Sequence, residues 1–224
     1  MWRVWVLVAG AAVAQGVALR GAWSGTPAFW FSLGLAYTLL AAIALDGLRR
    51  VNTLADRLRP RWGDLSMGTA VTVVLLLGCW AGRSLLTPLG SAQHAWLLRL
   101  YLQLGDSNTI QRSVPITLTV LWLAVADEIV WRGYVLDTLT ERVGARGAFL
   151  YATLLYGAAA LPSVVTLYDP VAGPNPLWVL LTLGTGLFWS LQARLTGRLL
   201  PGMISHMVFS YFSAVQPRLP GVFT

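Results

Sequence analysis

The sequence predicts an all-α protein: a polytopic transmembrane helix bundle of about seven spans, with one or two further helices lying at the membrane interface. Three observations carry this. Of its 224 residues, 56% are hydrophobic and 11% charged, with a mean hydropathy of +0.65, whereas soluble domains run near ~25% charged. The apolar residues gather in runs close to the ~20 residues a helix needs to cross a bilayer. The basic residues, all arginine, fall mostly in short segments between those runs.

Residues 2–19 are the first span. This Ala-rich stretch is followed by Arg20 and a second long apolar run, so it reads as a span rather than a signal peptide. The second, 27–45, opens on Pro27 and sets Phe29, Trp30 and Phe31 at an interface. Residues 46–64 break the pattern. They hold Arg49, Arg50, Arg57, Arg59 and Arg61 against Asp46, Asp56 and Asp64. Leu48, Val51, Leu54, Ala55 and Leu58 recur there at three and four, the spacing of a helix on the membrane surface. Residues 65–86 are the third span. A mixed stretch, 88–112, follows, with an amphipathic helix at 95–104 and a loop at Gly105-Asp106-Ser107-Asn108. The fourth span is 114–138, and 141–146 form a polar turn. The fifth is 147–161, ended by Pro162; 163–176 are a loop, charged at Asp169 alone. The sixth and seventh are 177–193 and 199–215. No repeat or domain boundary interrupts the chain, so residues 1–224 read as one integral-membrane domain.

The arginines of 46–64 mark the cytoplasmic side, because short cytoplasmic segments collect positive charge. Alternating the spans from there puts the N-terminus in the cytoplasm and the C-terminus outside, in a bacterial inner membrane. Arg142, Arg146, Arg194 and Arg198 then also fall inside; Arg20, Arg99, Arg112 and Arg218 do not. The net charge of +7 is explained by this topology and by anionic lipid, not by nucleic acid. The single Cys79 forms no intrachain disulfide and, with no histidine near it in sequence, reads as packing. His94 reads as an interfacial polar residue.

Asp127, Glu128 and Arg132 stand inside a stretch that is otherwise apolar from 114 to 136. A charge at membrane depth costs at least ~2.5–3.5 kcal/mol, so three together need a reason. On a helix Glu128 and Arg132 share a face and can pair, while Asp127 is turned roughly 100° away. A structural ion pair would use two of the charges and leave the third unexplained; a buried acid/base centre uses all three.

Asp127-Glu128-x-x-x-Arg132 resembles the E-E-x-x-x-R motif of the CPBP family, the CAAX-protease and bacteriocin-processing intramembrane endopeptidases also called ABI proteins, and Gly133-Tyr134-Val135-Leu136 continues it in the family's manner. The family's second motif, F-x-x-x-H, corresponds to Tyr156-Gly157-Ala158-Ala159-Ala160, where Ala160 stands in the histidine position. The third, H-x-x-x-N, corresponds to His206-Met207-Val208-Phe209-Ser210. The resemblance covers roughly residues 114–215.

The resemblance implies a glutamic-type endopeptidase in which a carboxylate activates water for attack on a peptide bond. Asp127 would be the base, helped by the second-motif histidine; Glu128 is the alternative base. His206 and Ser210 would stabilise the oxyanion, and Glu128 paired with Arg132 would hold the helix. Aspartate is a methylene shorter than the usual glutamate, a displacement of about 1 Å that can cost ~100-fold in rate. Ala160 removes a group the chemistry needs, so the chain as written is expected to be inactive, either as a natural non-catalytic form or as a deliberately inactivated variant. No cofactor is expected. Nor is a metal, since a catalytic zinc wants three protein ligands. The implied substrates are membrane proteins or lipidated peptides cut near a terminus, such as prenylated CAAX ends, bacteriocin leaders or the sorting tails of a myxosortase-like branch. A scaffold or bacteriocin-immunity protein on the same fold is the alternative. A transporter is less in keeping, because no paired Gly/Pro-interrupted spans occupy two halves of the chain.

Overall fold

In hydrocarbon each backbone N–H and C=O must be satisfied within the chain, so apolar runs of this length become helices. The computed structural model describes residues 1–51 and 54–216; the expected tail with Pro217 and Arg218 lies outside them. The helices are α1 (Trp2–Ala18), α2 (Pro27–Val51), α3 (Leu54–Leu58), α4 (Asp64–Leu86), α5 (His94–Leu104), α6 (Ser107–Arg112), α7 (Val114–Glu128), α8 (Leu136–Ala159), α9 (Pro162–Thr166), α10 (Leu177–Thr196) and α11 (Leu200–Val215). A 3₁₀ turn, Gly21–Trp23, links α1 to α2, and a π-helical segment, Ile129–Val135, joins α7 to α8.

Three helical stretches are long and apolar enough to cross a membrane: Pro27–Arg50, Asp64–Leu86 and Val114–Thr166; Trp2–Ala18 is a shorter apolar helix. The last of the three bends back on itself. Gly144, at φ 75° and ψ 161°, leaves the helical region inside α8, a conformation open to glycine because it has no Cβ. The polar turn expected at 141–146 is therefore a sharp kink between helical stretches.

Several boundaries differ from expectation. Helix α2 runs six residues past 45, carrying Asp46, Arg49 and Arg50 as its last turns. Arg50 pairs with Asp46 at 3.0 Å, one turn apart. Gly105-Asp106-Ser107-Asn108 is not all loop. The Asp106 carboxylate accepts from the Thr109 N–H and caps α6. Within 163–176, residues up to Thr166 are helical, with Pro162 at the first position of α9.

The helix ends meet in two layers. At one end Arg57 donates to the carbonyls of Arg132 and Gly133 and to Asp137, the Leu199 N–H donates to the Arg57 carbonyl, and Arg198 pairs with Asp64. Arg3 joins them through Asp46 at 3.0 Å. Arg50 and Arg142 line a cavity with Arg3 at this end. At the other end Gln103 donates to the Ala18 carbonyl, Asn175 to that of Trp96 and Gln111 to that of Val215.

Between the ends, α7 packs on α2 and α11, α8 on α10, and α1 on α2 and α8. Helix α4 is peripheral and docks chiefly on α11. Gly68 lies at this crossing, where a Cβ would be 3.0 Å from the Pro201 carbonyl oxygen and 3.0 Å from Ile204 Cγ2. Small residues at such crossings let helix backbones approach where no hydrophobic drive exists.

Gly68→Val should push α4 off α11 at a cost of about 1–3 kcal/mol. Cys79, half-buried on α4 and the chain's single cysteine, supplies the readout: its maleimide labelling should accelerate in the variant, and an unchanged rate would mean that this crossing tolerates bulk.

Candidate active site

Asp127 and Glu128 close the last turn of α7, and Arg132 sits in the π-helical segment that follows. A π turn inserts one extra residue into the helix and is frequent at functional sites. Nothing in the local sequence signals it. The Glu128–Arg132 pairing expected from their spacing is present, with Arg132 Nη1 3.4 Å from Glu128 Oε1. Glu128 is 1% exposed and Arg132 is fully buried.

The guanidinium is held less by hydrogen bonds than by rings. It lies 4.6 Å from the Tyr156 centroid and 5.3 Å from that of Trp189, within the ~6 Å reach of cation–π attraction. Arg132 Nη2 also donates to the Gly186 carbonyl at 3.4 Å. Tyr156 comes from α8, Trp189 and Gly186 from α10, so one arginine ties three elements together.

Helix α11 supplies His206. Its Nδ1 is 3.0 Å from Glu128 Oε1, so with Glu128 ionised the ring carries its proton on Nδ1 and Nε2 is left free. Nε2 is turned toward Asp127, 3.8 Å from Oδ2, longer than a hydrogen bond. Trp189 stacks on the imidazole, centroids 3.7 Å apart and planes 19° from parallel. The Trp189 Nε1–H donates to Ser205 Oγ at 3.1 Å, and Thr72 of α4 donates to the same hydroxyl at 3.3 Å. Helix α11 can come this close because residue 202 is glycine: a Cβ there would sit 2.7 Å from Glu128 Oε2.

Asp127, offset by about 100° on the helix, lies toward the other edge of the same imidazole. The Tyr156 hydroxyl donates to its Oδ2 at 2.5 Å. Tyr37 of α2 lies beside Asp127, Gln15 and Trp131, and Gln15 accepts from Trp178 Nε1 at 3.1 Å. Asp127 Oδ1 has no donor, and both polar atoms of buried Gln192, near Gly202, are without partners. Buried polar groups left open in this way are where a water or a substrate atom would bind.

The structure thus brings together Asp127, Glu128, Arg132 and His206. Ala160 is buried at the end of α8, one turn beyond Tyr156, and contributes a methyl group. Ser210 is half-buried one turn past His206 and makes no side-chain hydrogen bond among the described residues. Tyr156, Trp189, Ser205, Tyr37 and Gln192 join the cluster without having been anticipated in these roles; a polar or aromatic residue in an apolar helix is too common a signal to single them out. Among the described residues no group of three His, Cys, Asp or Glu side chains is arranged to hold a metal ion.

Two carboxylates against one guanidinium leave the buried cluster one negative charge in excess. A single proton on Asp127 or His206 balances it, and removing that charge from water makes the balance matter.

Residues 109–212 match the family described as type II CAAX prenyl endopeptidase Rce1-like. The match contains the three motif positions, and over that span the chain is similar to an Rce1-like domain of the CPBP family. Its apolar helices are in keeping with a helical membrane bundle. A stretch of 122 residues, 54% of this chain, is 34% identical to the apolipoprotein N-acyltransferase of Thermosynechococcus vestitus and covers 21% of that protein. No solved structure matches the chain.

Arg132→Met keeps bulk but strands Glu128 as an unpaired buried charge, and should destabilise the fold by about 3–5 kcal/mol. The double variant Arg132→Met/Glu128→Gln should recover much of that loss in thermal unfolding; failure to recover would locate the role of Arg132 in its ring contacts instead.

Proposed function

We propose that this protein is an intramembrane endopeptidase that cuts a membrane-associated protein near a terminus by carboxylate-activated water. The observation that carries the reading is the orientation of His206: Glu128 holds Nδ1 at 3.0 Å while Nε2 and Asp127 Oδ2 face each other 3.8 Å apart. A water bonded to both groups fits that gap. Asp127 takes its proton as the oxygen attacks the peptide carbonyl, forming the tetrahedral oxyanion, and the proton then passes to the leaving nitrogen. The open amide of Gln192 is a donor available to the oxyanion, and His206 becomes one when its Nε2 carries a proton; Ser210 enters this role if substrate draws it in. Glu128 and Arg132 fix the imidazole and do not react.

The second-motif position weakens this machinery. Ala160 offers no base, and Tyr156 occupies Asp127 Oδ2 where the water would bind. That observation favours a second reading, a non-catalytic scaffold or immunity protein. In either case the arginine-rich end faces the cytoplasm of an inner membrane, with the N-terminus inside and the C-terminus outside. The substrate is a CAAX-like or sorting-tail protein. Likeness to a protein named for acylating an apolipoprotein is in keeping with a lipid-linked chain.

The test is cleavage, in membranes, of prenylated and sorting-tail fusions by this chain and by Ala160→His. The histidine should raise cleavage by about 10²–10⁴-fold, the usual worth of a positioned base, and Asp127→Asn or His206→Ala in the same background should abolish it. If no fusion is cut by either protein while one is still captured, the binding reading replaces the protease.

A further inference from the structure

A second feature lies away from the buried cluster. Where the first residues of α1, the last turns of α2 and the start of α8 meet, a cavity of about 610 Å³ opens at the arginine-rich end, lined among others by Arg3, Arg50, Tyr134, Asp137, Glu141 and Arg142. Its size lies within the ~300–1,000 Å³ of small-molecule sites.

The charges around it are unevenly satisfied. Arg3 and Arg50 both lie 3.0 Å from the same oxygen, Oδ2 of Asp46, so two guanidinium groups share one carboxylate and one positive charge is left over. On the opposite wall Asp137 and Glu141 stand one turn apart on α8, where like charges repel. Arg57 answers Asp137; Glu141 has no ion-pair partner among the described residues. The first wall therefore has cation to spare, and the second holds Glu141 and, next to it, Arg142, neither with an ion-pair partner among the described residues. Beside the mouth, Trp2 and Trp5 are 68% and 57% exposed on α1, the placement of aromatic side chains at the headgroup level of a bilayer.

We propose that this cavity binds the headgroup of a zwitterionic aminophospholipid, its phosphate against Arg3, Arg50 and Arg142 and its ammonium against Glu141. A purely anionic headgroup would satisfy the guanidinium groups and leave Glu141 without a cation. Guanidinium donors suit phosphate oxygens, and the ammonium relieves the Asp137–Glu141 pair. The bound lipid would strap α1 and α2 to α8 at the end where Arg57 already gathers the chain.

The experiment is native mass spectrometry of the full chain released from nanodiscs made of equal parts phosphatidylethanolamine and phosphatidylglycerol. Retention of phosphatidylethanolamine in excess is expected. Glu141→Gln, a change at an exposed position, should lower that preference about two- to fivefold, the range of a partly exposed ion pair. The Arg3→Gln/Arg142→Gln variant should lower total retained phospholipid. Equal retention of the two lipids, or a preference that neither variant alters, would overturn the proposal. So would displacement of the lipid by excess inorganic phosphate, which would make this a simple anion site.

Discussion

The Arg132 guanidinium is the constraint around which the rest of the bundle is arranged. Fully buried, it cannot be satisfied by water, and the helix that carries it cannot satisfy it alone. Glu128 meets its charge, the faces of Tyr156 and Trp189 meet its plane, and the Gly186 carbonyl takes one N–H. Those partners come from α7, α8 and α10, so the helices can pack in few other ways without stranding a charge.

From that point the orientation of His206 follows. Glu128, already held by Arg132, accepts from Nδ1, and Trp189, already beneath the guanidinium, stacks on the imidazole face. The Ser205 and Thr72 hydroxyls fix the indole in turn and bring α4 into the network. Each buried polar group orients the next, which is how a site stays rigid in a medium where a loose polar group is costly. Asp127 is the exception. One of its oxygens is bonded by Tyr156 and the other is open, so it is the carboxylate with room for chemistry.

The ends of the bundle obey different physics. There water and headgroups are available, arginines bond carbonyls left free at helix termini, and charges of both signs stay partly exposed. The cavity between α1, α2 and α8 belongs to this zone.

Composition and run length were enough to read the helical membrane fold, most helix boundaries to within a few residues, and the pairing of Glu128 with Arg132. Spacing and polarity are local quantities, and in an apolar chain each polar residue is conspicuous. Arg132, Asp127, Glu128 and His206 could be picked out for that reason. The charges that begin at Asp46 mark the end of the apolar run but not of the helix, so the sequence reads as a separate surface helix what the structure shows as the last turns of α2. Other features depend on which faces meet. The π turn at Ile129–Val135, the hydroxyl of Tyr156 on Asp127, the Trp189 platform and the open amide of Gln192 exist only once α7, α8, α10 and α11 are packed. Their residues are unremarkable in sequence, since an aromatic or a glutamine in a helix has many uses and burial beside a particular charge selects among them. Ser210 shows the same limit from the other side: its spacing puts it on the face of His206, but it makes no side-chain hydrogen bond there among the described residues.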